Sequence, residues 1–264
     1  MIGITGGKGV LGKILCNFLD QKNIPYSLFE GDVRDSKVLE NWFEEKQISQ
    51  VIFLAAKVAI DEVNRNKEIA YDVNVNGIIQ TIKAIKNYQK NIYFFYASTS
   101  HVYDSSEKPI DENYTILPQN TYGLTKHMAE KILEDFANNN TNFQLCIGRI
   151  FSFYHQSQNP PYLYPTIINR LKEENLALPF KLRGALSVRD FSNAEKIVDI
   201  ILNICLQKIV GIYNIGSGKG IQIKDFVSKF APNSLKFEFD ENEIKSYLVA
   251  DISKLKKTLV NYEL

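Results

Sequence analysis

TGGKGVLG, residues 5 to 12, stands between a short β-prone run, IGIT, and an amphipathic run, VLGKILCNFLDQ. Gly6, Gly9 and Gly12 recur at Gly-x-x-Gly-x-x-Gly spacing. This spacing lets the chain turn tightly, lets a pyrophosphate approach the backbone, and lets the helix pack closely on its strand. The helix that follows aims free N–H groups and a positive dipole end at the phosphates. Glycines in a turn say little alone. Joining a first strand to an apolar helix, they read as a dinucleotide cradle rather than as a merely structural turn.

Outward from the cradle, β-prone runs alternate with longer amphipathic segments: YSLFE then SKVLENWFEEK, VIFLA then a helical stretch ending near Tyr88, IYFFYAS then TYGLTKHMAEKILEDFA, and finally FQLCIGRI. Continuous apolar strands separated by amphipathic helices predict a parallel sheet covered on both faces, the doubly wound α/β architecture. After Arg149 the run SFYHQSQNPPYLYP, rich in Pro, Gln, Asn and Tyr, marks a boundary. The expected organisation is a dinucleotide-binding domain over residues 1–155, to which 187–208 return. A small C-terminal lobe for substrate is expected from 156–186 and 209–264. On this reading LSVRDF and its following helix rejoin the main sheet, while GIYNIGS and the last helices belong to the lobe.

Lys and Arg total 31 against 30 Asp and Glu, so the net charge of +1 gives no reason to expect nucleic acid or a membrane surface as partner. Cys16, Cys146 and Cys205 are widely spaced, without Cys-x-x-Cys or histidines at ligand spacing, so neither a disulfide framework nor a metal site is expected. No apolar run is long enough to span a bilayer, and Met1 leads straight into a strand-like run; a cytoplasmic protein is expected.

An acidic residue at the end of the second strand is needed to hold an adenosine ribose, and Glu30 and Asp32 in LFEGDVRD are the candidates. Asp35 is better suited to capping the helix that begins near Ser36. Lys8 and Arg34 offer positive charge to a 2′-phosphate, so both NAD and NADP stay open. In NTYGLTK, Tyr122 and Lys126 lie one helical turn apart, a spacing that also suits an ordinary surface helix.

Taken together, TGGKGVLG, GDVRD, VIFLAAKV, DVNVNG, ASTSHVY, TYGLTK, RIFSFY, VRDF, GIYNIGSG and ADISKLKK, in this order over nearly the whole chain, make the sequence resemble the extended short-chain dehydrogenase/reductases. The branch is that of the NAD(P)-dependent nucleotide-sugar epimerases, dehydratases and reductases. The resemblance implies Tyr122 as acid/base, with Lys126 lowering its pKa and contacting the cofactor ribose. It implies that Thr99 donates a hydrogen bond to the reacting sugar oxygen; the alternative is a hydroxyl that satisfies nearby backbone. Cofactor contacts are implied at Gly6, Lys8, Gly9, Val10, Leu11, Gly12, Glu30, Asp32, Val33, Ala55, Ala56, Lys57 and Ala97, besides Tyr122 and Lys126. Arg189 is implied as the grip on the nucleotide diphosphate, assisted by Arg183, against the alternative of a salt bridge to Asp190. Ser152 stands where many members have a substrate-contacting asparagine.

Ser100-His101 stands where the family's 4,6-dehydratases carry Asp-Glu, which argues against water elimination. His101 is read as a substrate-positioning group, with a second acid/base or a residue packed at the cleft rim as alternatives. Three functions follow: a reductase of a nucleotide-linked 4-keto sugar, a nucleotide-sugar 4-epimerase, and a non-catalytic dinucleotide sensor. The sensor ranks last, because Tyr122 and Lys126 are both present. The compact chain favours the reductase. A homodimer formed through helices near residues 63–88 and 122–139 is implied by the resemblance alone.

Overall fold

In the computed structural model, residues 1–260 are described. Strand β1 (Ile2–Thr5) leads through the glycine loop into α1 (Val10–Gln21), followed by β2 (Tyr26–Leu28), α2 (Ser36–Lys46) and β3 (Gln50–Phe53). Two short helices, α3 (Ile60–Arg65) and α4 (Lys67–Tyr71), run through a π-turn over Asp72–Asn76 into α5 (Gly77–Tyr88). Next come β4 (Ile92–Thr99), a 3₁₀ turn over Ser100–Val102, α6 (Thr121–Asn138) and β5 (Phe143–Ile150). The remainder comprises β6 (Phe153–Tyr154), α7 (Leu163–Glu173), β7 (Phe180–Lys181), β8 (Val188–Asp190), β9 (Ser192–Asn193), α8 (Ala194–Leu206) and β10 (Gly211–Ile215). It ends with β11 (Gly220–Gln222), α9 (Ile223–Ser228), β12 (Phe237–Glu238), β13 (Tyr247–Leu248) and α10 (Ser253–Thr258).

Six parallel strands form the main sheet in the order β10-β5-β4-β3-β1-β2. Alternate residues feed opposite faces, as a strand's period of two requires. Ile52 and Phe95 point into one core with Leu15, Leu19 and Ile201, while Val51, Phe53 and Phe94 point into the other with Phe43, Ile78 and Leu133. The doubly wound expectation therefore holds. A third, smaller core of Ile167, Phe180, Leu182, Ala185 and Val227 lies under the C-terminal elements.

Three expected placements are corrected. GIYNI does not belong to the lobe: it is β10, paired with β5 over five residues, because α8 supplies the crossover that returns the chain parallel to β5. VRD does not rejoin the main sheet. It is the middle strand of a separate sheet, β11-β8-β13, where the buried Asp190 carboxylate accepts from the N–H groups of Ser217, Gly218 and Ala250. The last helix, α10, buries Leu255 in the main core, with Leu259 just beyond it, rather than in the lobe.

Candidate active site

The parallel strands end on one edge, and there the glycine loop, the segment after β3, the end of β4 and the start of α6 enclose a cleft of about 760 Å³. Gly6 turns the chain with φ +71°, and a Cβ there would lie 2.7 Å from the Ala55 nitrogen. A Cβ at Gly12 would lie 2.5 Å from the Gly6 carbonyl oxygen, so the helix could not approach the strand. Gly9 differs: its Cβ would meet only the Gly6 oxygen at 3.3 Å and otherwise point into free space along the cleft. No acidic residue occupies the first turn of α1, whose leading N–H groups have no intrahelical acceptor. This cradle fits a dinucleotide pyrophosphate.

Val10, Leu11, Ala55, Ala56, Lys57 and Ala97 line the same cleft. A neighbouring hollow of about 400 Å³ is lined by Lys8, Glu30, Asp32 and Val33, with Gly6 and Ala55 shared between the two. Asp35 caps α2, accepting from the N–H groups of Lys37 and Val38, as expected. Lys57 is exposed at the rim, its ammonium 3.7 Å from Glu62.

Thr99 ends β4 and is buried; its hydroxyl accepts from the His101 N–H at 3.2 Å. The Asn120 side chain caps α6 through the Gly123 N–H at 2.8 Å, which brings Tyr122 into the cleft on the first turn. Gly123 is small for a reason: any Cβ would overlap the His101 carbonyl oxygen. Helix and 3₁₀ turn are thereby pressed together, and the His101 ring stands edge-on to Tyr122 with centroids 6.0 Å apart.

Burial raises the Tyr122 pKa, and a hydrogen bond from Thr99 offsets only part of that shift. Lys126, 2% exposed, is likewise shifted by burial, down to about 7, with the Glu130 charge pulling the other way. Its ammonium lies 4.0 Å from the Tyr96 ring centroid. The expected lowering of the Tyr122 pKa by Lys126 is thus not the dominant effect in the protein alone, because desolvation penalises both charged forms. Burial also lowers His101, to about 4, ahead of the repulsion from Arg189, so the imidazole is neutral at pH 7.

Lys126 has a consequence for stability. The unfolded chain holds this proton up to the ordinary value of 10.5, the folded chain only to about 7, so stability rises with pH between those values. Lys126→Met removes that rise. Urea denaturation at pH 7 and pH 9 should show the parent gaining on the variant by at most about 2.7 kcal/mol, the limit for one group over two pH units.

Two polar groups that the sequence reading did not single out position this machinery. Asn74, buried in the π-turn, accepts from the Lys57 N–H at 2.7 Å and donates to the Lys57 carbonyl at 3.0 Å and the Thr125 hydroxyl at 3.0 Å. Its motif, DVNVNG, was visible, but nothing local marks which asparagine turns inward. Glu130 is fully buried one turn beyond Lys126 and is gripped by Arg149 at 2.8 and 3.1 Å and by the Ser98 hydroxyl. Burial, which alone would raise the Glu130 carboxyl, is outweighed by contacts from His127, Arg149 and Ser98, so its pKa lies below the ordinary range. This pair ties α6 to β4 and β5.

Ser152 and Arg189 reach the cleft from the far wall. Arg189 donates to the Val188 and Ser246 carbonyls at 2.9 and 2.8 Å and to the Ser246 hydroxyl at 2.7 Å. It makes no ion pair among the described residues, and Asp190 is committed to the loop amides instead. Burial lowers its pKa. A partly desolvated guanidinium without a carboxylate suits an anionic ligand. Arg183 is not brought to the cleft: Leu182 and Ala185 on either side are buried, which turns Arg183 to solvent.

A dinucleotide cradle at a sheet edge, with a tyrosine and a lysine one turn apart on the adjoining helix, defines an NAD(P)-dependent enzyme of the short-chain dehydrogenase/reductase type. The sequence profile of the family described as GDP-mannose 4,6 dehydratase matches residues 19–263, and the chain belongs to that family. It is 27% identical to the UDP-glucose 4-epimerase of Mycoplasma genitalium over 308 aligned residues, covering 97% of this chain and 90% of that protein. Its fold matches the UDP-glucose 4-epimerase of Thermus thermophilus in complex with NAD, with a TM-score of 0.82 at 19% identity over 97% of this chain and 92% of the other. RMD from Pseudomonas aeruginosa, complexed with NADPH, gives 0.85 at 20% identity over 97% and 91%. These neighbours hold NAD or NADPH, in keeping with the cradle, and no helix among the described residues is long and apolar enough to cross a membrane.

Proposed function

We propose that the chain reduces a nucleotide-linked 4-keto sugar, with Tyr122 as proton donor. The observation that carries this reading is the placement of the Tyr122 phenol at the wall of the cleft beside Thr99 and one turn from Lys126; like any phenol it is protonated at neutral pH, and burial pushes it further that way. Carbonyl reduction needs a donor that enters the reaction holding its proton. Thr99 then holds the sugar oxygen, and the Tyr122 proton passes to that oxygen as it becomes an alkoxide. Bound NADH or NADPH supplies the hydride. Lys126, one turn along α6, steadies the phenolate left behind. The neutral, edge-on His101 is suited to positioning the sugar rather than to acting as a second acid, and Arg189 to the substrate diphosphate. Ser100-His101 provides no carboxylate pair for water elimination.

A second reading, a nucleotide-sugar 4-epimerase, is favoured by the Mycoplasma genitalium relative, which is matched over 90% of its length, so compactness alone does not separate the two. Both use the same residues for hydride transfer and differ in the fate of the cofactor. The test is incubation, in heavy water, with a panel of nucleotide 4-keto sugars plus stoichiometric NADH or NADPH, and in parallel with the corresponding nucleotide sugars that carry a C4 hydroxyl. The reductase reading expects net oxidation of the dinucleotide and no deuterium bound to sugar carbon. Copurified NAD, with interconversion of C4 epimers and no consumption of added cofactor, would replace it with the epimerase. Carbon-bound deuterium would restore His101 as a second acid/base.

A further inference from the structure

The adenosine end of the cleft holds an unusual distribution of charge. Glu30 and Asp32 line its hollow, and Lys8 is the cation on the same wall. Arg34, two residues past Asp32, is the side chain best suited to a 2′-phosphate, because its planar fork matches phosphate oxygens. It is not among the residues lining the hollow. Its Nε donates to Asp32 at 2.9 and 3.0 Å, and its Nη2 to the same carboxylate at 2.5 Å. Its Nη1 donates to Asp72 at 2.6 Å. Asp72 belongs to a different part of the chain, the start of the π-turn, and is itself steadied by the Asn76 amide at 2.9 Å.

We propose that Asp72 is a cofactor-specificity residue: with Asp32 it engages the Arg34 fork, which leaves the adenosine end suited to the 2′-hydroxyl of NAD and unsuited to the 2′-phosphate of NADP. With all three guanidinium nitrogens engaged by two carboxylates, Arg34 brings no net positive charge to the ribose. A 2′-phosphate would face Glu30 and Asp32 with only Lys8 to offset them. A ribose hydroxyl, by contrast, finds carboxylate acceptors there. Three carboxylates, Glu30, Asp32 and Asp72, stand against Arg34 and Lys8 around this end. Asp72 takes no part in lining either cleft, so its effect is exerted through Arg34 alone. The inference rests on the dinucleotide cradle and not on which sugar reaction follows.

The test is calorimetric titration of the whole chain with NAD⁺ and NADP⁺, without sugar substrate. The parent should bind NAD⁺ at least about tenfold more tightly than NADP⁺. Asp72→Asn should tighten NADP⁺ about fivefold, the upper end for release from an exposed ion pair, and leave NAD⁺ within about twofold. Asp72→Ser, made in parallel, should behave alike and guards against a folding failure in one variant. Adding Arg34→Ala to either variant should abolish the gain. Equal or tighter binding of NADP⁺ by the parent overturns the proposal, as does a gain that survives loss of Arg34 or an NADP⁺ affinity that neither Asp72 variant moves. Failure of the parent to bind either dinucleotide overturns it together with the cofactor assignment.

Discussion

Tyr122→Phe will fold and bind NAD⁺ like the parent, and its turnover will fall by about 10²–10⁴-fold, the usual worth of a positioned proton donor. The ring remains, so the edge-on contact with His101 and the first turn of α6 are preserved. Only the hydroxyl goes, and with it the proton that must reach the sugar oxygen. Loss of a group used in the transition state alone should lower kcat and kcat/KM together, with little change in KM. Single-turnover measurements with a nucleotide 4-keto sugar and NADH or NADPH read this directly. Turnover within a few-fold of the parent would remove Tyr122 from the chemistry.

Gly9→Val will bind neither NAD⁺ nor NADP⁺ measurably, a loss of at least about 100-fold in affinity, while keeping its fold. Gly9 caps α1 at φ −73° and ψ 171°, an extended conformation that valine adopts readily, so the backbone itself is not strained. The added carbons enter the space along the cleft that a pyrophosphate needs, having met only the Gly6 oxygen on the way. Gly12 would be a poorer choice, since a Cβ there collides with the backbone of Gly6 and Gly7 and unseats the helix. Calorimetric titration and far-ultraviolet circular dichroism together check the result. Undiminished binding would mean that the phosphates lie elsewhere.

Much of this was legible in the residues themselves, and the failures have physical causes. Parallel strands buried over most of their length appear as largely apolar runs, so β1, β3, β4 and β5 stood out. GIYNI was harder: five residues following a long helix look the same in a central sheet as in a lobe, and only the pairing with β5 decides. VRD shows why local pattern fails at short strands, since its place is set by the Asp190 carboxylate and loops about thirty to sixty residues downstream. Arg183 and Arg189 are indistinguishable as letters. Burial of Leu182 and Ala185 leaves Arg183 facing outward, whereas hydrogen bonds to Val188 and Ser246 hold Arg189 at the cleft. Asn74 and Glu130 act through partners far along the chain, a relation that spacing does not encode.

The π-turn bears on how this chain tolerates insertion and deletion. Its closing bond runs from the Gly77 N–H to the Asp72 carbonyl, so it holds one residue more than a helical turn would. Within it, Asn74 faces inward to Lys57 and Thr125, while Asp72 faces outward to Arg34. Each helical residue advances about 100° around the axis. Deleting one residue between them would rotate one of the two side chains off its partner whichever way the helix settled. The extra residue therefore acts as a phase adjuster between two stretches of helix, and it fixes the length of this segment by holding Asn74 and Asp72 on opposite sides of it.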